Sequence, residues 1–117
     1  MKKVSILGAA LVLAGGLTLA YAADADRGKA LFASPDLGGG TTGRSCASCH
    51  DGGSGLGGDL FEGRQYPIEA IINTCIERAM GGKAIDPQGQ EMQSLVAYLK
   101  TLVSGNSGKK RKKIEGC

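Results

Sequence analysis

The stretch Cys46-Ala47-Ser48-Cys49-His50 decides how this 117-residue chain is read. Two cysteines with two residues between them are followed at once by a histidine. A zinc site needs four ligands, and with His50 the only histidine it would also have to recruit Cys75 or Cys117. A thioredoxin-like redox pair belongs in a βαβ setting, and no segment of this chain reads as a strand. The chemistry that fits this spacing is covalent haem attachment. The two thiols reach the two vinyl groups of one porphyrin edge and form thioethers, and the adjacent imidazole lies beneath the iron as its proximal ligand.

Composition agrees with a cofactor at the centre. Glycine contributes 20 residues, Trp is absent, and there are only two Phe and three Tyr. A small chain this poor in aromatics has trouble building a core from side chains alone. One haem, one domain and an all-α shell follow as the expectation. At 42% hydrophobic and 21% charged, the chain is not a collagen, a coiled coil or a fully disordered polymer. Its length leaves no room for an active site between two lobes.

Lys2 and Lys3 lead into the uncharged run Val4–Ala20, followed by Ala20-Tyr21-Ala22. A short basic region, an apolar run and an A-x-A site describe a secretory signal peptide cleaved after Ala22, so the protein is expected in the periplasm. Membrane attachment is expected only if that segment stays uncleaved. The domain division is then 1–22 signal peptide, 23–103 haem domain and 104–117 flexible basic tail. Five basic residues lie in Lys109-Lys110-Arg111-Lys112-Lys113, and the body ahead of that tail carries 7 basic and 10 acidic residues. The fold therefore offers no support for binding nucleic acid.

Residues 24–33 read as a helix with acids in the first turn, stopped by Ser34-Pro35. Residues 34–63 read as one long loop with ten glycines. Helical order returns over Pro67–Ala79, where Ile68, Ile71, Ile72, Cys75 and Ala79 recur at helical spacing, and Gly81-Gly82 ends it. Asp86-Pro87 reads as the cap and first turn of a last helix, with the stripe Met92, Leu95, Val96, Leu99 and Val103. The expected shell is about three helices around a Gly-rich loop.

The whole pattern resembles the class I c-type cytochromes. Gly28 and Phe32 in GKALF, with Leu95 and Tyr98-Leu99 in SLVAYLKTL, are similar to the family's crossing N- and C-terminal helices. The wording FASPDLG…SCASCH and INTCIERAMGGKAIDPQGQEMQSLVAYL resembles a narrower branch, the haem domains of sulfur-oxidation cytochromes and thiosulfate dehydrogenases. Members of that branch carry two haem domains, whereas one attachment motif stands here. The resemblance implies one covalent haem c in the class I fold.

With His50 committed, sulfur candidates for the sixth iron position are Met80, Met92, Cys75 and Cys117. Met92 fits the apolar stripe of the last helix as a core residue, and Cys117 ends a polar tail. Met80 precedes Gly81-Gly82, where the helix breaks and a flexible thioether can swing towards iron. The resemblance supports His50/Met80 ligation, while in the sulfur-oxidation branch the cysteine matching Cys75 ligates iron, so Cys75 stays open as the alternative. At 100° per residue the two are roughly 140° apart on a regular helix, with Cys75 expected to point along the isoleucine stripe.

Several surface charges are candidates around such a haem. Arg44 and Arg64 flank the loop and could meet propionates, and Lys29, Lys83 and Lys100 could ring the exposed edge. Cys75 and Cys117 are left over after attachment, with Cys117 able to link two chains of an otherwise monomeric protein. The functional expectation is electron transfer without enzymatic turnover, with single electrons passing between larger partners. Those partners would be multihaem cytochromes such as an outer-membrane conduit, inner-membrane respiratory proteins, an oxidase or a dehydrogenase. The alternatives are a haem subunit of a sulfur-oxidising, thiosulfate dehydrogenase-like enzyme, and a gas-binding module with an open sixth position.

Overall fold

A computed structural model describes residues 24–105. Within them stand four α-helices and no strand: α1 (Ala25–Ala33), α2 (Cys46–Cys49), α3 (Ile68–Arg78) and α4 (Gln90–Gly105). The signal segment, the basic tail and Cys117 lie outside the described residues, and no described helix is long and apolar enough to cross a membrane.

Helix α1 begins where Asp24 caps it, its carboxylate accepting from the Asp26 and Arg27 amides at 2.9 and 3.2 Å. It buries Gly28 and Phe32, one turn apart, against α4. The crossing is close because Gly28 has no side chain. A Cβ there would collide with the Ser94 carbonyl and lie 2.8 Å from the Tyr98 Cβ. One turn on, Phe32 meets Tyr98 edge to face, with ring centroids 5.4 Å apart. Leu95 and Leu99 of α4 are buried on the same side, and Met92 and Val103 extend the buried stripe. The α1–α4 crossing is the frame on which everything else hangs.

Several helix boundaries differ from the sequence reading by a few residues, two of them for a visible reason. Helix α4 starts at Gln90, because Asp86-Pro87-Gln88-Gly89 closes a turn first, with the Gly89 amide on the Asp86 carbonyl and the Gln88 amide on the Asp86 carboxylate. Pro67 stands just outside α3 as its extended N-cap residue, with φ −62° and ψ 151°. The larger correction concerns residues 34–63. They hold α2 and three short 3₁₀ turns, Leu37–Gly39, Asp51–Gly53 and Gly58–Leu60, with Leu37 and Leu60 buried in the core. Turns this short leave no periodic apolar pattern to detect in a sequence.

Candidate functional site

The attachment motif folds by local rules. Ser45 and Ser48 form a reciprocal capping box at the start of α2, with the Ser45 amide donating to the Ser48 hydroxyl at 2.9 Å. The helix places Cys46 and Cys49 three residues apart, hence on one side. His50 follows as the C-cap, its amide bonding the Cys46 carbonyl at 2.9 Å. The chain then reverses through Gly52 and Gly53, at φ 58° and 80°, a left-handed conformation that costs glycine least. That reversal brings the Ser54 carbonyl to 2.9 Å from His50 Nδ1.

This last contact fixes the imidazole. A carbonyl oxygen can only accept, so Nδ1 carries the hydrogen and donates it, and the neutral ring presents the Nε2 lone pair. A backbone acceptor on the far nitrogen is the arrangement that orients a ligating histidine. Ser54 was absent from the sequence reading, and the only signal for it was the Gly-Gly pair that turns the chain.

Cys46, Cys49 and His50 line one cleft, open to solvent on one side. Helix α3 contributes Ile68, Ile71, Ile72 and Cys75 to its wall, and Met80 joins them just beyond that helix. Phe32, Leu56, Leu60, Leu95 and Leu99 complete an apolar lining. The isoleucine stripe is therefore cavity wall rather than packing turned away from it, and Cys75 faces the cleft with that stripe. Met80 reaches the same cleft because α3 stops at Arg78. The Ala79 and Met80 amides both bond the Cys75 carbonyl, at 2.9 and 3.3 Å, and the Gly82 amide reaches Ile76. The regular 100° step ends there, so the expected 140° separation does not keep the two sulfurs apart. Met80 is the more deeply placed, at 2% exposure, and Cys75 is half-buried.

The remaining candidates separate cleanly. Met92 is fully buried in the core and lines a different groove, with Glu69, Pro87 and Lys100. Arg44 is exposed and lines the cleft. Arg64 instead uses its Nε to hold the Asp59 carbonyl at 3.0 Å. Lys100 lies 5.8 Å over the Phe61 ring, and Lys29, Lys83 and Lys100 are not among the residues lining the cleft. Beyond Met80, the chain is clasped by Asn73. Its amide nitrogen donates to the Ile85 carbonyl and its oxygen accepts from the Ile85 amide, both at 2.9 Å. Asn73 stood in the sequence reading only within the INTCIERAM segment.

Two thiols on one side of a short helix, an imidazole whose Nδ1 is held by a carbonyl and an apolar cleft beside them fit a covalently attached haem. Cys46 and Cys49 would hold it and His50 would ligate it, and the group would supply a reversible one-electron change at iron. This all-α fold, with its attachment site, defines a c-type cytochrome domain carrying haem c and transferring electrons.

The particular family follows from comparison with known proteins. The family model for the SoxA/TsdA cytochrome c domain matches residues 27–107, and the chain belongs to that family. No match was found among curated proteins or among solved structures.

Proposed function

We propose that this protein is a periplasmic monohaem cytochrome that shuttles single electrons between larger redox proteins, with His50 and Met80 as the axial ligands. The observation that carries the proposal is Met80 buried at 2% exposure in the cleft that also holds His50. With an imidazole and a thioether both turned into one apolar cleft, side chains fill both axial positions and substrate finds no open coordination site. The chain's part is to hold the sulfur, exclude water and orient the imidazole. These choices, with the axial ligand, set the potential. Partners would dock weakly around the haem edge and leave quickly, as a carrier requires.

A second reading is favoured by Cys75, which lines the same cleft, and by a family named for sulfur-oxidation proteins. In it, Cys75 ligates the iron and the chain is the haem subunit of a sulfur-oxidising enzyme. Carbon monoxide distinguishes a filled site from an open one. The reduced holoprotein of a shuttle should show no fast carbon monoxide spectrum at neutral pH, and rapid, stoichiometric binding would contradict the filled site.

A further inference from the structure

The segment carrying Met80 is tied to the residues just ahead of the attachment helix, through Thr41 and Thr42. Their amides both donate to the Met80 carbonyl, at 2.8 and 3.2 Å. The Thr42 hydroxyl donates to the Ala79 carbonyl at 2.9 Å, and the Thr41 hydroxyl to the Gly81 carbonyl at 3.1 Å. Two adjacent threonines thus hold three consecutive carbonyls, 79 to 81. Thr42 Oγ1 also accepts from the Arg44 amide at 3.4 Å, which links the clamp to the strand of chain entering α2. Both threonines are exposed, so core packing does not account for them.

The two sulfurs in the cleft are held in different ways. Cys75 sits on the regular part of α3, where the helix itself fixes it. Met80 lies past the helix end, where its backbone is placed by its own bond to Cys75 and by the two threonines. A neutral thioether is a weak ligand, so the fraction of time it spends on iron depends on how well its backbone is pre-positioned.

We propose, resting on Met80 as the sixth ligand, that Thr41 and Thr42 are positioning residues that keep the thioether on iron against Cys75 and against ligands from solution. Replacing both hydroxyls by methyl groups removes three side-chain hydrogen bonds, to Ala79, Gly81 and the Arg44 amide, and keeps both amide donors. The loosened thioether then yields to a competitor more readily, and the competitor's apparent affinity rises by the same factor.

The test uses oxidised holoprotein titrated with imidazole while the weak far-red sulfur-to-iron band is followed. Wild type, the Thr41→Val/Thr42→Val double variant, Thr42→Ser and Met80→Ala are compared well below their unfolding temperatures. The double variant should bind imidazole about tenfold more tightly than wild type, starting from a weaker far-red band. Thr42→Ser, which keeps the hydroxyl, should stay within about twofold. Either single valine variant should shift affinity about threefold, which serves if the double variant is poorly recovered. If the valine variants keep the wild-type band and imidazole affinity while Met80→Ala loses the band, the threonines do not position the ligand and Met80 remains assigned. If Met80→Ala itself keeps the wild-type band, the ligand assignment and the threonine role both fail.

Discussion

The two sides of the haem cleft are built on opposite principles. Over residues 45–54 each cited bond lies within four residues along the chain: the Ser45–Ser48 capping box, the His50 amide on Cys46, and His50 Nδ1 on the Ser54 carbonyl. Over residues 73–83 the decisive bonds are long-range, from Thr41 and Thr42 to residues 79–81, from Lys83 to Gly38, and from Asn73 to Ile85. A site built from local bonds depends only on the conformation of its own short segment. A site assembled from distant segments forms only when the whole domain is folded, and its ligand is correspondingly easier to exchange. On this account the attachment side would capture the cofactor and the sulfur side would tune it.

The largest effect should come from breaking the attachment side. Without haem the apolar cleft has nothing to cover its lining in a small domain with few aromatics. A Cys46→Ala variant should give a sharply lower yield of protein, and what is recovered should show poorly dispersed amide resonances. Good recovery of well-folded, haem-free protein would show that the chain builds its core alone.

On the sulfur side, Asn73→Ala should cost about 2 kcal/mol. It strands the Ile85 amide and carbonyl where they are part-buried and frees the segment beyond Met80. Denaturant unfolding of the holoprotein measures this loss, with faster hydrogen exchange at Ile85 as the local signature. A change below a few tenths of a kcal/mol would mean that the clasp is incidental.

Gly52→Ala probes the attachment side more gently. Nothing lies within 4 Å of a Cβ at that position, so the cost is backbone strain at φ 58° alone, about 1 kcal/mol. A melting temperature lower by roughly 4–8 °C with an unchanged visible spectrum is expected for a domain of this size. A shifted spectrum would mean that the turn, and with it the Ser54 acceptor, had moved.

The same contrast explains what the sequence could reveal. Cys46, Cys49 and His50 were legible because the chemistry requires contiguous spacing; periodicity showed the stripe of α4, and the resemblance to class I cytochromes implied its crossing with the helix of Gly28 and Phe32. The short turns of residues 34–63 were not, since three residues carry no period. Nor was the shared cleft of Cys75 and Met80. A regular helix sets the two about 140° apart, and although Gly81-Gly82 marks a break beside Met80, the structure already ends α3 at Arg78, with the Thr41 and Thr42 amides on the Met80 carbonyl. Those threonines are 38 or more residues distant in sequence, and nothing local marks them as partners.

The most direct test of a His50/Met80-ligated electron carrier is the far-red sulfur-to-iron band of the oxidised protein, recorded with the reduction potential for wild type, Cys75→Ala and Met80→Ala. A band present in wild type, unchanged in Cys75→Ala and lost in Met80→Ala is expected. The Met80→Ala potential should fall by roughly 0.1–0.2 V, a modest share of the ~0.8 V that axial ligands span. A spectrum indifferent to Met80→Ala but altered by Cys75→Ala would contradict the account, make Cys75 the iron ligand and move the chain into sulfur chemistry.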